Sequence, residues 1–312
     1  GRLFELHEQK TKSDFVVGDL FLGKIKKLAP NLNAAFVSIG TDKDAFLHYQ
    51  DLGPQFLSYQ KFLKNTISKK QQTPSLKNAE HAKDIDKMGT VDKVLTAGDV
   101  VLLQITKEPI STKGPRISTQ ISLTGRFLVL IPFDNKISIS KKVSDGAEKE
   151  RLKTLIESIR PEGFGVIIRT VAEGKKVAEL HNDMNQLVKK WETTFKNIQK
   201  NKVPSKILSE EDKASSILRD NFNQDFVSII CDDEKMVEDM KAYIEVIAPE
   251  RKNIVQFYDS HIPLLEYYNV EKQLKQSFGK HVNIPASKGA YLVIEHTEAL
   301  HVVDVNSGNN IS

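Results

Sequence analysis

The chain has 312 residues, 39% of them hydrophobic and 28% charged, a balance ordinary for a soluble globular protein and long enough for two or more domains. No apolar run approaches the eighteen or so residues of a membrane span, and no basic-then-apolar signal region opens the chain. The single cysteine, Cys231, excludes an internal disulfide or a Cys-based zinc site within these residues and points to a reducing, cytoplasmic setting. The formal charge of +4 is uneven: residues 1–125 hold 18 Lys and Arg against 13 Asp and Glu, and residues 126–312 hold 27 against 28. An anionic partner would meet the first part more readily, although an uneven solvated surface gives the same count.

In chain order, residues 19–49 read as a β-meander. The short runs "DLFLGKIKKLAP", "NAAFVSIG" and "KDAFLHYQ" are separated by turn chemistry at Pro30-Asn31 and Gly40-Thr41-Asp42. In "GKIKKL" the alternation predicts Lys24 and Lys26 on one face and Ile25 on the other. Residues 54–96 change character and read as a polar insertion or mobile loop. "GDVVLLQITKEP" and "KGPRISTQISL" restore the sheet, and five strands with one interruption suit an OB-type barrel.

A second unit follows, with strands "GRFLVLIPF", "KISISKK" and "FGVIIRTVA" and a helix over "AEKERLKTLIESIRPE" closed at Pro161. From about 175 to 200, Leu180, Met184, Leu187, Val188, Trp191, Phe195 and Ile198 keep helical spacing and predict a core-facing stripe. The third unit alternates: strand "DFVSIICD", a helix begun by Asp232 and Asp233, strand "KNIVQFYD", and a helix over "PLLEYYNVEKQLKQSF". That order predicts an α/β layer. The last piece, "AYLVIEHTEALHVVDVNS", reads as a hairpin around "HTEA".

Three groups of residues carry possible chemistry. In a strand, residues two apart share a face, so Asp304 and Asn306 project together while His301 does not join Asp304. A carboxylate beside an amide suits a hard cation such as Mg²⁺; the plainer reading is an Asx turn at a strand end. Phe36 and Phe46 lie on neighbouring predicted strands near Lys24, Lys26 and Lys27, as rings that stack unpaired bases would, although the plainer reading is that both rings fill a barrel core. Arg169-Thr170 at a strand end can form an oxyanion site or only a surface ion pair with a loop cap, and Lys113 in "STKGPR" can be a phosphate contact or a loop lysine. Cys231 reads as a small buried hydrophobe. The strand-to-helix turns carry neither GxxxxGK[ST] nor GxGxxG, so nothing supports a nucleotide-binding fold.

Taken together these segments resemble, in order, the ribonuclease E/G family. "FLGKIKKLAPNLNAAFVSIGTDKDAFLHY" looks like its S1-type RNA-binding barrel, "KGPRISTQISLTGRFLVLIP" like the exit into its 5′-sensor segment, and "PEGFGVIIRTVA" like the sensor's Arg-Thr strand. "NIVQFYDSHIPLLEYYNVEKQL" is similar to its RNase H-like layer and "HTEALHVVDVNSG" to its metal-binding strand. The resemblance implies an α/β multidomain fold in which an OB-type barrel is inserted in an RNase H-like layer. Its expected parts are the start of that layer at 1–17, the barrel at 18–124 with the 54–96 insertion, the 5′-sensor at 125–215, the layer again at 216–279, and the first strands of a deoxyribonuclease I-like domain at 280–312.

By the same resemblance, Asp304 would match a Mg²⁺-ligating aspartate and Asn306 the asparagine that orients it. Phe36, Phe46 and Lys113 would hold single-stranded RNA, and Gly125, Val129, Arg169 and Thr170 would bind a 5′-monophosphate. The implied reaction is Mg²⁺-dependent endonucleolytic cleavage of single-stranded RNA that leaves a 5′-phosphate and a 3′-hydroxyl. The family's second aspartate, its zinc-sharing cysteine pair (Zn²⁺ in the full-length protein) and its C-terminal small domain fall outside these 312 residues. The expectation is therefore a portion of a longer, homo-oligomeric enzyme with little activity alone; a non-catalytic RNA-binding module or scaffold of the same fold is the alternative.

Overall fold

The computed structural model describes residues 1–8, 15–109, 113–211, 213–223, 225–285 and 287–309. The chain divides into two compact units, one of residues 11–222 and one that joins residues 1–10 to 223–312.

The larger unit opens with a barrel. Strands β1 (Leu20–Ala29), β2 (Ala34–Ser38) and β3 (Ala45–His48) form a meander; helix α1 (Phe56–Ile67) follows; then β4 (Val100–Lys107) and β5 (Arg116–Ser118) complete the order β1-β2-β3-β5-β4. Antiparallel pairing of β1 with β4, and a parallel contact of β3 with β5 at Phe46 and Arg116, close it. This is the expected OB-like arrangement of five strands. The alternation that defines a strand sends Phe21, Ile25, Ala35, Val37, Ala45, Leu47, Val101, Leu103, Ile105 and Ile117 into the barrel interior. Lys24 and Lys26 stay exposed, as the "GKIKKL" alternation predicts, and Lys27 is exposed as well because the register with β2 shifts between Ile25 and Lys27.

Residues 54–96 depart from the expected loop. They do lie between β3 and β4, but α1 opens them, and Phe56, Tyr59, Phe62, Leu63, Leu76, Val91 and Leu95 are all buried. The physical reason is spacing: Phe56, Tyr59, Phe62 and Leu63 recur on one helical face inside a polar segment, and a few wide-set apolar residues then anchor the remainder.

A second sheet has the order β6-β7-β9-β8, from β6 (Leu123–Thr124), β7 (Leu128–Pro132), β8 (Ile137–Ile139) and β9 (Phe164–Ile168). Helix α2 (Gly146–Ile159) ends before Pro161, capped at its start by Asp145, whose carboxylate accepts the Ala147 N–H. Helix α3 (Val177–Lys200) buries Leu180, Met184, Leu187, Trp191, Phe195 and Ile198, with Val188 partly covered, so the stripe is core as expected. Trp191 stacks on Phe62 at 5.8 Å between centroids and donates its indole N–H to Pro74 O at 2.8 Å, which ties the 54–96 segment to α3. Two further elements complete this unit: β10 (Ser205–Leu208), a sixth strand antiparallel to β1, and α4 (Lys213–Asn221).

In the smaller unit, β11 (Ile229–Cys231) pairs in parallel with β12 (Val255–Phe257) across α5 (Glu234–Ile247), a strand–helix–strand crossover. Asp233 caps α5 by accepting the Met236 N–H at 2.8 Å, and Cys231 is buried. The single helix expected over "PLLEYYNVEKQLKQSF" is two, α6 (Leu264–Tyr267) and α7 (Val270–Ser277), because Asn269 between them is left-handed, with φ 59°. Strands β13 (His281–Asn283), β14 (Tyr291–His296) and β15 (His301–Asn306) make an antiparallel sheet whose last two strands are the expected hairpin. No helix among the described residues is long and apolar enough to cross a membrane.

Candidate functional site

The residues singled out by sequence fall in three places. The first is the outer face of β2, β3 and β5. Because the neighbours Ala35, Val37, Ala45 and Leu47 point inward, Phe36 and Phe46 must point out, and neither ring joins the barrel core. They face one another across the strands, edge to face, with centroids 5.8 Å apart. Lys27 is in register with Phe36, and Arg116 with Phe46, so a cation flanks each ring. A forked pair of bonds to Asp51, at 2.9 and 3.1 Å, holds Arg116 and pushes its pKa further up. Lys113 is exposed on the loop before β5, and that loop is stitched to β3 by the Phe46 N–H donated to Pro115 O at 2.9 Å. Gly114 makes the contact possible, since a Cβ there would lie 1.9 Å from Asp44 O. Two half-exposed rings beside cations form a platform able to stack bases and track phosphates.

The second place is the turn around Gly125 and the end of β9. Arg169 Nη1 donates to Gly125 O at 2.9 Å, to Arg126 O at 3.3 Å and to Asp220 Oδ1 at 2.8 Å. Thr170 shares a 2.8 Å hydrogen bond with Ser140 Oγ, and Val129 sits in the adjoining strand opposite Ile167. Gly125, Arg169 and Thr170 are thus brought together, with Val129 in the same sheet. The ion pair foreseen as the plainer reading of Arg169 is also present, its partner being Asp220 on α4. Burial pushes the Asp220 carboxyl up, but hydrogen bonds and charge from Arg169 and Arg219 outweigh it and hold the group below the ordinary carboxylate range.

What shapes this turn is a residue the sequence reading passed over. Asp183, on the buried face of α3, accepts the N–H groups of Arg126, Phe127 and Leu128 at 3.0, 2.9 and 2.9 Å. Its desolvation outweighs those bonds and raises its pKa. Gly125 leaves room for it: a Cβ at 125 would lie 2.7 Å from both carboxylate oxygens. The signal was available, since an acid among the apolar positions 180, 184 and 187 must find donors. Asp220 and Ser140 gave no comparable signal, because nothing local to either names its distant partner.

The third place is the hairpin. Asp304 lies opposite Val293, on the face that also carries Tyr291, Glu295 and Asn306. His301 pairs with His296, their Nδ1 atoms in contact, on the other face, in agreement with the parity argument. Asn306 Nδ2 donates to the Tyr291 hydroxyl at 3.0 Å, and its Oδ1 accepts the Gly308 N–H at 3.0 Å, so the Asx turn belongs to Asn306 and not to Asp304. Glu295 shares the face, but Lys280 at 2.9 Å engages it and lowers its pKa. The exposed Asp304 carboxylate makes no hydrogen bond or ion pair among the described residues. Those residues hold no group of three His, Cys, Asp or Glu side chains suited to a metal ion. One uncommitted carboxylate on an open polar face does fit a hard cation whose other ligands are water and phosphate.

Comparison with known proteins places the chain in one class. The ribonuclease E/G family model matches residues 122–312. Among the relatives are a ribonuclease E of Nostoc sp., 31% identical over 94% of this chain and 39% of its own length, and a ribonuclease G of Haemophilus influenzae, 30% identical over 99% of this chain and 58% of its own. A ribonuclease G of Escherichia coli K12 is 28% identical over 99% of this chain and 59% of its own. The chain belongs to the ribonuclease E/G family. It spans 39% to 59% of the length of these relatives.

Proposed function

We propose that these residues serve an endoribonuclease that cuts single-stranded RNA with the help of Mg²⁺, leaving a 5′-phosphate and a 3′-hydroxyl, and that prefers substrates bearing a 5′-monophosphate. Family membership supports the reaction class, and the Phe36–Phe46 platform is the observation that carries the substrate class: paired rings held out of a barrel core beside Lys27 and Arg116 suit unpaired bases, not a duplex. The reading also takes in a cytoplasmic setting, in keeping with one buried cysteine, homo-oligomeric assembly of the full-length protein, and little cleavage by these 312 residues alone.

On this reading the platform stacks successive bases while Lys113 meets the backbone. Arg169 and Thr170 receive the terminal phosphate, the guanidinium as a planar fork and the hydroxyl as a single donor. Asp304 would hold the metal, and Asn306, fixed by Tyr291, would keep the strand end in place beside it. When bound, Mg²⁺ lowers the pKa of a coordinated water and offsets charge on the scissile phosphate. The test is incubation of the full-length protein with Mg²⁺ and a single-stranded A/U-rich oligoribonucleotide. Internal cuts whose downstream products carry a 5′-phosphate are expected. Tight binding without any product would favour the non-catalytic RNA-binding alternative.

A further inference from the structure

Arg169 is held in an unusual way. All three of its side-chain hydrogen bonds among the described residues come from one atom, Nη1, which reaches Gly125 O, Arg126 O and Asp220 Oδ1. Nε and Nη2, the opposite edge of the guanidinium, donate to nothing among the described residues, and the side chain is 23% exposed. A guanidinium presents two N–H groups in parallel along such an edge, the arrangement that grips a phosphate or carboxylate by two oxygens.

Asp220 is itself built in. Its Oδ1 also accepts from Arg219 Nε at 3.1 Å. Arg219 is only 8% exposed and is fixed in turn by Glu210 at 2.8 Å and Glu211 at 3.2 Å. Lys190 lies within 3.7 Å of both glutamates. Asp220 thus ends a chain of alternating charges, and it meets Arg169 at the amino group that faces away from the open edge.

We propose that Asp220 is the positioning residue of the 5′-phosphate pocket: it clamps Nη1 of Arg169 against the Gly125 turn so that the Nε–Nη2 edge is presented, already oriented, to a terminal phosphate. This rests on the reading of Arg169 as the phosphate-binding residue and adds the group that orients it. Pre-orientation matters because a free arginine loses rotamer freedom on binding, whereas one already clamped loses little. Asp220 also offsets the charge of Arg169, so a ligand offering only one unit of negative charge and no forked oxygens gains little in the pocket.

The experiment compares full-length wild type with Arg169→Ala, Asp220→Ala and Asp220→Asn on two oligoribonucleotides of one sequence, one 5′-monophosphorylated and one 5′-hydroxyl. KM and kcat are measured separately, and circular dichroism confirms folding. Asp220→Ala should raise KM for the monophosphorylated substrate about tenfold, the worth of one charge-assisted hydrogen bond, and leave kcat and the hydroxyl substrate within twofold. Asp220→Asn, which keeps an oxygen for both guanidiniums, should retain most of the preference and so act as the rescue. Unchanged preference in Asp220→Ala alongside its loss in Arg169→Ala would overturn the positioning role alone. A stronger preference in Asp220→Ala would overturn it as well, by making the carboxylate a competitor of phosphate; so would equal loss in Asp220→Ala and Asp220→Asn, by assigning the effect to charge. Unchanged preference in Arg169→Ala would instead remove the sensor reading beneath it.

Discussion

Asp183 shows how much one side chain can decide. Three N–H groups, two of them buried, converge on its carboxylate, and removal leaves them without an acceptor. Each stranded donor costs about 1–3 kcal/mol, so Asp183→Ala should lose about 3 kcal/mol or more in urea denaturation and should weaken selection of the 5′-phosphate as well. A loss below 1 kcal/mol would mean that water or the relaxed turn takes over those donors. Gly125→Ala should harm the same turn, because its methyl group meets the same two oxygens. At the barrel face, Phe46→Ala should weaken single-stranded RNA binding by about 1–3 kcal/mol, the worth of one stacked base, without changing which 5′ end is preferred. Fluorescence anisotropy with both kinds of end separates those effects. Strand parity made Asp304 and Asn306 legible as a pair and dismissed His301. Which of the two takes the Asx turn depended on Tyr291 fifteen residues earlier, and no local pattern carries that.

At the scale of elements, period and punctuation were enough for most of the chain. The barrel strands, α2 with its Asp145 cap and Pro161 stop, the α3 stripe and the final hairpin all followed from alternation, helical spacing and turn residues. Reading failed where tertiary contact overrode composition. The polar composition of residues 54–96 suggested a loop, yet α1 opens them, and Leu76 and the Pro74 carbonyl are fixed by α3 and its Trp191. Phe62→Ala should therefore cost about 3–5 kcal/mol and shift Trp191 fluorescence, because Phe62 touches Trp191, Phe133 and Phe195 together.

The turn after Thr170 makes a pH-dependent prediction at the same scale. Glu148 accepts from Arg151 and from the Gly174 N–H, and those bonds hold its carboxyl down to about 2. A depressed pKa means stability that is present above the ordinary value near 4.5 and lost as pH falls toward 2. Glu148→Gln should thus be less stable than wild type at pH 7, with the gap closing between pH 4.5 and 2. A gap that stays constant over that range would refute the linkage.

For the whole molecule, an ordered set of short segments was more telling than any single motif. Composition admitted many proteins, and the charge imbalance by itself favoured none. The resemblance of several segments in one order foresaw the family, and the match over residues 122–312 establishes it. Long-range pairing stayed hidden: the addition of β10 to β1 joins residues nearly two hundred positions apart, and the grip of Asp220 on Arg169 joins a helix to a strand end fifty-one positions away. The proposed function turns on Asp304, whose exposed carboxylate makes no hydrogen bond or ion pair among the described residues, as the carboxylate that holds the metal. Its most direct test is cleavage by full-length wild type and Asp304→Asn, on one fluorescent 5′-monophosphorylated oligoribonucleotide with Mg²⁺, alongside binding of the same RNA. The metal role of Asp304 requires cleavage to fall at least about a hundredfold, the scale of losing a group that stabilises the transition state, with RNA affinity within twofold. Cleavage at the wild-type rate would contradict it.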